Sequence, residues 1–391
     1  MRSCRGAGVG KSFLLAGGGT AGHVNPLLAT AAELELRGHR VSVLGTEQGL
    51  EQDLVPRAGL DLLTVPKVPM PRRLSGDTFA LPGRLRRAVA AAGVAIDTVA
   101  ADAVVGFGGY VSAPAYLAAR RRKRPIVVHE ANARPGLANR LGARMSSHVA
   151  VTFPDTPLKG GVLTGLPLRP EIADLAALLL DGNGRAEVQS VARLNLRWPG
   201  DAPVLLVTGG SLGAASLNAA IVKAVPTLVA HGVHVLHLTG AGKAESAMRA
   251  RANLPTTMRE YYRVEEYSHD MAGAFAAAEA VVCRAGAATV CEVSALGLPA
   301  LYVPLPHGNG EQALNARQAV AAGAATIIQD ADLTSAALEL AAEQMILDPR
   351  SNAAMSAAAV SVGIRDGARR LADMIESAVG IDVANDDAGA A

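Results

Sequence analysis

The sequence predicts an α/β protein built from two similar open, parallel-sheet domains with facing loops. Three observations carry this. The first is a strand, glycine turn and helix near the start: the apolar run Phe13–Ala16, then Gly17-Gly18-Gly19-Thr20-Ala21-Gly22-His23, then an alanine-rich helical pattern to Leu36. The second is a repeat of that plan: Val204–Thr208, then Gly209-Gly210-Ser211-Leu212-Gly213, then a helical pattern to Leu228. The third is size, since 391 residues that are 50% apolar suffice for two domains with substantial cores.

Glycine suits the first turn because it takes positive φ cheaply and leaves room for a close ligand. The helix behind it offers unpaired N–H groups and a partial positive charge, which suit an anion. His23 stands at that helix start, so its ring can reach the same ligand. Gly17, Gly19 and Gly22 also fit a dinucleotide fingerprint. However, no acid ends the next strand, Val41–Leu44: Gly45 and Thr46 follow it, and Glu47 is a weak substitute for the expected ribose-binding acid. Gly6–Ser12 imitates a Walker loop, but Arg5 stands where its first glycine belongs and no strand precedes it.

Three cysteines, Cys4, Cys283 and Cys291, form no disulfide framework and no zinc spacing, which points to a reducing compartment. The basic N-terminus is followed by only four apolar residues, too few for a signal peptide, and no apolar run reaches 18. The reading is a cytosolic protein. The net charge of +2 hides an asymmetry: residues 1–170 hold 22 Lys+Arg and 11 Asp+Glu, leaving 15 and 24 for the rest. That is +11 against −9. The runs Arg72-Arg73, Arg84-Leu85-Arg86-Arg87 and Arg120–Arg124 fit a phosphate-rich partner, either nucleic acid or an anionic membrane, or else a solvated face. Without interleaved aromatics, nucleic acid is the poorer fit.

In chain order, Arg40–Leu44 reads as the second strand, Glu47–Arg57 as a helix and Leu60–Val65 as the third strand. Val68–Leu74 then mixes prolines, arginines and apolar residues, with Met70, Arg72, Arg73 and Leu74 at its end. Leu81–Ala92 continues as a basic amphipathic helix, Arg84, Arg86 and Arg87 beside Leu81, Leu85 and Val89, suited to a lipid surface. Strand Ala103–Val105 leads into a second glycine turn, Gly106–Ser112, and strand Ile126–Val128 ends in His129-Glu130-Ala131-Asn132. The latter is not the zinc motif H-E-x-x-H, because the fifth residue is Ala133. Three strand ends, at Gly17–His23, Gly106–Ser112 and His129–Asn132, therefore converge on one crevice. Val149–Phe153 and Gly161–Thr164 are short strands, and Pro167 and Pro170 stiffen the exit from the domain.

The second half offers strands at Val233–Thr239, Arg263–Glu266, Ala280–Cys283, Ala300–Val303 and Ala325–Ile328. Its polar constellation is Ser211, Arg284, Thr289, Glu292, Glu311 and Gln312. Ser211 can cap its helix or bind phosphate, and Arg284 with helix N-termini suits a diphosphate. Glu292 can take two ribose hydroxyls or simply offset a helix dipole, while Glu311 and Gln312 can read sugar hydroxyls. The predicted division is a flexible basic segment 1–11, a first domain 12–168, a connection 169–198 and a second domain 199–365. A terminal helix 366–381, able to pack back on the first domain, and an acidic disordered tail 382–391 follow.

Taken together, GGGTAGHVNPLLA at 17–29, GFGGYVS at 106–112, HEAN at 129–132, GGSLGA at 209–214, CRAGAATVCE at 283–292 and GNGEQALNA at 308–316 resemble the bacterial MurG family, over about residues 12–375. The Val68–Arg87 region resembles actinobacterial members. The resemblance implies two Rossmann-like domains facing across a cleft, the GT-B architecture. It implies inverting transfer of N-acetylglucosamine from UDP-GlcNAc to an undecaprenyl-diphosphate-linked muramyl-pentapeptide, lipid I to lipid II. It places the enzyme on the cytoplasmic face of an anionic bacterial membrane, beside other cell-wall synthesis proteins and without nucleic acid.

Carried over residue by residue, the backbone of Arg263–Ser268 would meet the uracil and Glu292 the ribose. Ser211 and Arg284 would hold the diphosphate, with Thr289 beside them, and Glu311 and Gln312 the GlcNAc. Thr20 and Gly22 with the loops Gly18-Gly19 and Gly108-Gly109-Tyr110 would take the acceptor diphosphate, with Asn132 a cleft residue and Arg169 near the sugar nucleotide. Met70, Arg72, Arg73, Leu74, Leu81, Arg84, Leu85 and Arg87 would meet the membrane. Three positions depart from the family pattern: Leu212 and Glu311 replace glutamines, and Leu166 replaces an asparagine or small residue. His23 is the candidate base, its ordinary pKa near 6.5 suiting the task, with an orienting or stabilising role as the alternative. No D-x-D pair sits where it could hold a metal; the protein then requires no cofactor, and a divalent ion on the acceptor's own diphosphate stays open.

Overall fold

The computed structural model describes residues 10–68, 76–180, 184–210, 212–306 and 310–381. The basic N-terminal segment up to residue 9, Met70, Arg72, Arg73, Leu74, Ser211 and the acidic tail from 382 lie outside the described residues. The chain divides into two compact units. One is the chain up to Arg169 together with the segment from Asp366; the other is Pro170–Arg365.

The first unit holds a parallel sheet. Its strands are β1 Ser12–Ala16, β2 Arg40–Thr46, β3 Asp61–Val65, β4 Ala103–Gly106, β5 Ile126–Glu130, β6 His148–Val151 and β7 Gly161–Leu163, in the order β3-β2-β1-β4-β5-β6-β7. Pairing is parallel throughout, with Ala16 opposite both Leu44 and Gly106. Strands β1, β4 and β5 are buried along their whole length, which is why they read as unbroken apolar runs rather than alternating ones. One core, including Leu14, Val104, Tyr116 and Val128, covers one face, and Phe13, Leu15, Leu27 and Val105 belong to the other.

The second unit repeats the plan. Its strands are β8 Val204–Thr208, β9 His234–Leu238, β10 Tyr262–Glu265, β11 Ala280–Cys283, β12 Ala300–Tyr302 and β13 Ala325–Ile327, in the order β10-β9-β8-β11-β12-β13. These pairs are also parallel. In each sheet the order reverses at one place, between β1 and β4 and between β8 and β11. Crevices beyond the carboxyl ends at such switch points are where open α/β sheets bind ligands.

Several expectations shift. The helix expected from Glu47 begins only at Glu51, because residues 47–50 form a turn ahead of it, with the Thr46 Oγ1 2.6 Å from the Gln48 carbonyl oxygen. The basic helix is longer than expected, Gly76–Thr98. Residues 171–198, readable as a connection or a peripheral helix, are largely helical: helices Pro170–Leu180 and Gly184–Asn195 belong to the second unit. Buried Arg193 ties the latter down, donating to the Ala277 carbonyl at 2.9 Å and to Glu279 at 2.6 Å.

The last helix, Gly367–Ala378, packs on the first sheet's side of the division, burying Leu371, Ala372 and Ile375 with Phe13, Leu27 and Leu34. Polar contacts lock it there. Arg37 donates to Asp373 at 2.7 Å and to Glu376 at 2.6 Å, and His39 Nε2 lies 2.8 Å from Glu376. A Cβ on Gly367 would come within 2.5 Å of the Leu166 carbonyl oxygen, so the helix can start there only on glycine.

Candidate active sites, one in each unit

In the first unit, β1, β4 and β5 are neighbours, so the three loops singled out by sequence do meet at one carboxyl edge. The β1 loop runs Gly17–Thr20 into the helix Ala21–Leu36. Gly18 is buried against a carboxylate that sequence reasoning missed. Glu51, fully buried, accepts the Gly19 N–H at 2.9 Å, the Thr46 N–H at 3.0 Å and the Thr46 hydroxyl at 2.7 Å. Burial pushes this carboxyl up, but the hydrogen bonds from Gly19 and Thr46 outweigh it and hold it below the ordinary carboxylate range. The Gly19 amide, expected to face an acceptor phosphate, is therefore engaged by Glu51.

His23 is half-buried on the first turn of that helix. Its Nδ1 lies 3.3 Å from the Gly18 carbonyl oxygen and 3.1 Å from Thr20 Oγ1. A carbonyl can only accept, so this contact favours the tautomer with the proton on Nδ1 and the lone pair on Nε2 in the neutral ring. Burial lowers the His23 pKa below its ordinary 6.5, opposed by the charge of Glu130, the Gly18 hydrogen bond and the charge of Glu51. Gly22 is exposed beside it.

Nε2 faces the second glycine loop: a Cβ on Gly108 would come within 3.0 Å of it, and one on Gly109 within 2.7 Å of the Gly18 oxygen. Both glycines have positive φ, 101° and 78°. Buried Ser112 fixes this loop, accepting from the Gly108 N–H at 2.9 Å and lying 3.0 Å from the Ala16 carbonyl oxygen. Tyr110 is 43% exposed at the rim, with Lys67 Nζ 5.6 Å from its ring centroid.

The β5 loop is organised by buried Glu130, which accepts from the Asn132 N–H at 2.9 Å, the Gly136 N–H at 3.0 Å and Asn139 at 3.0 Å. Asn139 in turn accepts from Tyr116 at 2.8 Å. Asn132 is half-buried on this loop, and Arg169 is the final residue of the unit before Pro170. His129 is wholly buried and its pKa is pushed down to about 4 by burial, so it is neutral; its Nδ1 has no partner. On the basic helix, Arg86 and Arg87 are exposed, Leu81 and Arg84 half-buried. Leu85, expected to meet lipid, instead packs against the unit's own core.

In the second unit, the loops after β8, β11 and β12 lie side by side by the same strand logic. Glu292 is buried in the helix Ala287–Ala295, and Thr289 is half-buried in its first turn. Glu311 and Gln312 open the short helix Glu311–Asn315. Gln312 staples the preceding loop, accepting the Leu305 N–H at 2.9 Å. Asn315, which sequence reasoning did not single out, is buried and reaches the Ala285 carbonyl at 3.3 Å, linking this helix to the β11 loop.

Arg284 does not stand as a free diphosphate clamp. Its Nη1 donates to the Val303 and Pro304 carbonyls, each at 3.1 Å, and to Asp330, and its Nη2 donates to Ser216 at 3.0 Å. The guanidinium ties three strand-end loops together with its charge balanced by a carboxylate. Of the departures, Leu212 is 82% exposed and Leu166 is buried.

The glycosyltransferase family 28 N-terminal domain model matches residues 13–151, and the family 28 C-terminal domain model matches 204–371. A curated protein of Frankia casuarinae, UDP-N-acetylglucosamine--N-acetylmuramyl-(pentapeptide) pyrophosphoryl-undecaprenol N-acetylglucosamine transferase, is 49% identical over 94% of this chain and 96% of its own. One of the same name from Clavibacter sepedonicus is 48% identical over the same shares. The crystal structure of MurG from Acinetobacter baumannii superposes with a TM-score of 0.75 at 28% identity, covering 94% of this chain and 99% of that one. The chain belongs to the MurG family of glycosyltransferases, with the two Rossmann-like domains of the GT-B architecture.

Proposed function

We propose that this family member transfers N-acetylglucosamine from UDP-GlcNAc to the muramyl sugar of an undecaprenyl-diphosphate-linked pentapeptide, inverting the anomeric centre. The names of its near relatives supply the substrates. The observation that carries the chemistry is the placement of His23: burial lowers its pKa, its Nδ1 stands 3.3 Å from the Gly18 carbonyl oxygen, and its Nε2 faces a glycine loop, an arrangement that suits a neutral ring with the lone pair on Nε2. In the proposed step the acceptor hydroxyl oxygen bonds to the anomeric carbon as the bond from that carbon to the β-phosphate oxygen breaks. The hydroxyl proton passes to His23 Nε2 and UDP leaves with the electron pair.

The second unit would hold the donor. Glu292 suits the ribose hydroxyls, and the N-termini of helices Ala215–Ala230 and Ala287–Ala295 suit the diphosphate. Arg284 would act through the loops it braces rather than by gripping phosphate. The reading needs no resident metal; a divalent ion arriving with the acceptor's diphosphate is compatible with it. The first unit's basic excess and the exposed Arg86 and Arg87 support peripheral attachment to an anionic bilayer at its cytoplasmic face; among the described residues no helix is long and apolar enough to cross one.

The test is His23→Ala. It should keep the UDP-GlcNAc Kd and lose kcat by roughly 10²–10⁴. Wild-type kcat in that variant would reject the base.

A further inference from the structure

His23 and Glu51 stand on different helices and are joined through one peptide bond. The Gly18 carbonyl takes the Nδ1 proton of His23 at 3.3 Å, and the N–H of the same peptide unit, that of Gly19, goes to Glu51 Oε2 at 2.9 Å. A trans peptide is planar, with its C=O and N–H pointing opposite ways, so an anchor on one end sets the direction of the other. Glu51 is itself anchored through its other oxygen, which takes the N–H and the hydroxyl of Thr46.

The surrounding backbone is shaped to admit this carboxylate. A Cβ on Gly18 would lie 2.5 Å from Glu51 Oε1, one on Gly45 2.7 Å from its Cγ, and one on Gly49 2.3 Å from its Oε2. Three glycines, one in β2 and one in each of the loops after β1 and β2, thus leave their side-chain space to one buried acid. Helix capping does not account for this, because the carboxylate reaches out of its own helix to β2 and to the β1 loop.

We propose that Glu51 is a positioning residue for the transfer: through the Gly18–Gly19 peptide it holds the Gly18 carbonyl against His23 Nδ1 and so keeps Nε2 as the nitrogen that receives the acceptor's proton. The inference rests on the reading of His23 as the base. It is the carboxylate–imidazole arrangement of hydrolytic triads with a peptide bond interposed, and its effect is the same: one tautomer, one ring orientation.

The test uses the full chain as wild type, Glu51→Gln, His23→Ala and the double variant. Three quantities are measured: UDP-GlcNAc Kd, kcat with a short-chain lipid-diphosphate acceptor, and the ¹⁵N shifts of the His23 ring. Glutamine matches the size of glutamate but cannot accept from all three donors at once. The donor Kd should stay within about twofold, reporting an intact second unit, while kcat falls roughly 10–100-fold, the scale of a small misplacement of a reacting group. In the His23→Ala background the same change should cost about twofold or less, since coupled residues are non-additive. The wild-type ring should show Nε2 unprotonated, and Glu51→Gln should shift it to a tautomer mixture.

An equal loss in both backgrounds with an unchanged tautomer would overturn the proposal and leave Glu51 a loop staple. Wild-type kcat in His23→Ala alone would instead remove the base, and the tautomer shift would still decide the link between the two residues. Should Glu51→Gln fail to fold, Thr46→Val removes one of the carboxylate's donors and answers the same way. A several-fold loss in kcat that vanishes without His23 supports the link, and no change in kcat or tautomer overturns it.

Discussion

The base role proposed for His23 needs a neutral imidazole, and the surroundings of the ring decide where neutrality ends. Burial lowers its pKa, while the carboxylates Glu130 and Glu51 and the Gly18 hydrogen bond oppose this; His129, the other ring nearby, is already neutral. The folded-state pKa therefore lies below 6.5, and the neutral base persists to lower pH than for a free histidine. The acid limb of kcat/KM should fall below pH 6.5, and a limb above it would contradict the burial argument. Glu292 is buried one turn into its helix, away from the terminus where a carboxylate would merely complement the dipole. Glu292→Ala should weaken UDP-GlcNAc binding by roughly tenfold or more, as loss of a bidentate charged contact does, with little change in kcat at saturation. An unchanged Kd would make it a structural residue. At this scale the sequence showed His23 and the glycines because they lie within one short stretch. It hid Glu51, whose partners Gly18 and Gly19 stand more than thirty residues earlier, and it hid the neutralisation of Arg284 by Asp330, 46 residues away.

Elements were legible where burial on both sides makes the pattern unambiguous. β1, β4 and β8 are short, wholly buried and largely apolar runs that lead into glycine, and β5 is an equally buried run that ends in His129-Glu130. Helix limits were less legible, because a turn such as residues 47–50 is closed by the Glu51 carboxylate accepting from the Thr46 N–H and hydroxyl rather than set by hydrophobic period. Helix Gly184–Asn195 reads as a solvated connection because its anchor is an arginine, Arg193, and a buried arginine is invisible until its partners are. The terminal helix makes a measurable claim. Leu371 is fully buried in the first unit's core, so Leu371→Ala should cost about 2–5 kcal/mol, seen as an earlier unfolding transition of that unit in denaturant. An unchanged transition would mean that the helix contributes nothing to the unit. The basic helix makes another. Arg86 and Arg87 are exposed and Leu85 packs on the core, so the attachment to lipid proposed here would be electrostatic. Arg86→Gln with Arg87→Gln should weaken binding to phosphatidylserine-containing vesicles by roughly tenfold, and raised salt should do the same to wild type. Salt-insensitive binding equal to wild type would contradict it.

At the scale of the whole molecule, one plan is used twice. Each unit is a parallel sheet with a single reversal of strand order, and each gathers its polar residues at the carboxyl edge beside that reversal. The two units differ in charge, the first basic and the second acidic, which fits a division of labour between a lipid-diphosphate acceptor and a sugar-nucleotide donor. The two-unit plan was readable because the glycine-turn units at 17–22 and 209–213 repeat each other within a chain long enough for both. The account therefore stands or falls on transfer needing both ligands. The most direct measurement is UDP release from UDP-GlcNAc with and without a short-chain lipid I analogue. The account predicts release that depends on the acceptor and yields the disaccharide lipid. Release or isomerisation of UDP-GlcNAc without acceptor, or bound UDP-GlcNAc that is never turned over when acceptor is added, would contradict it.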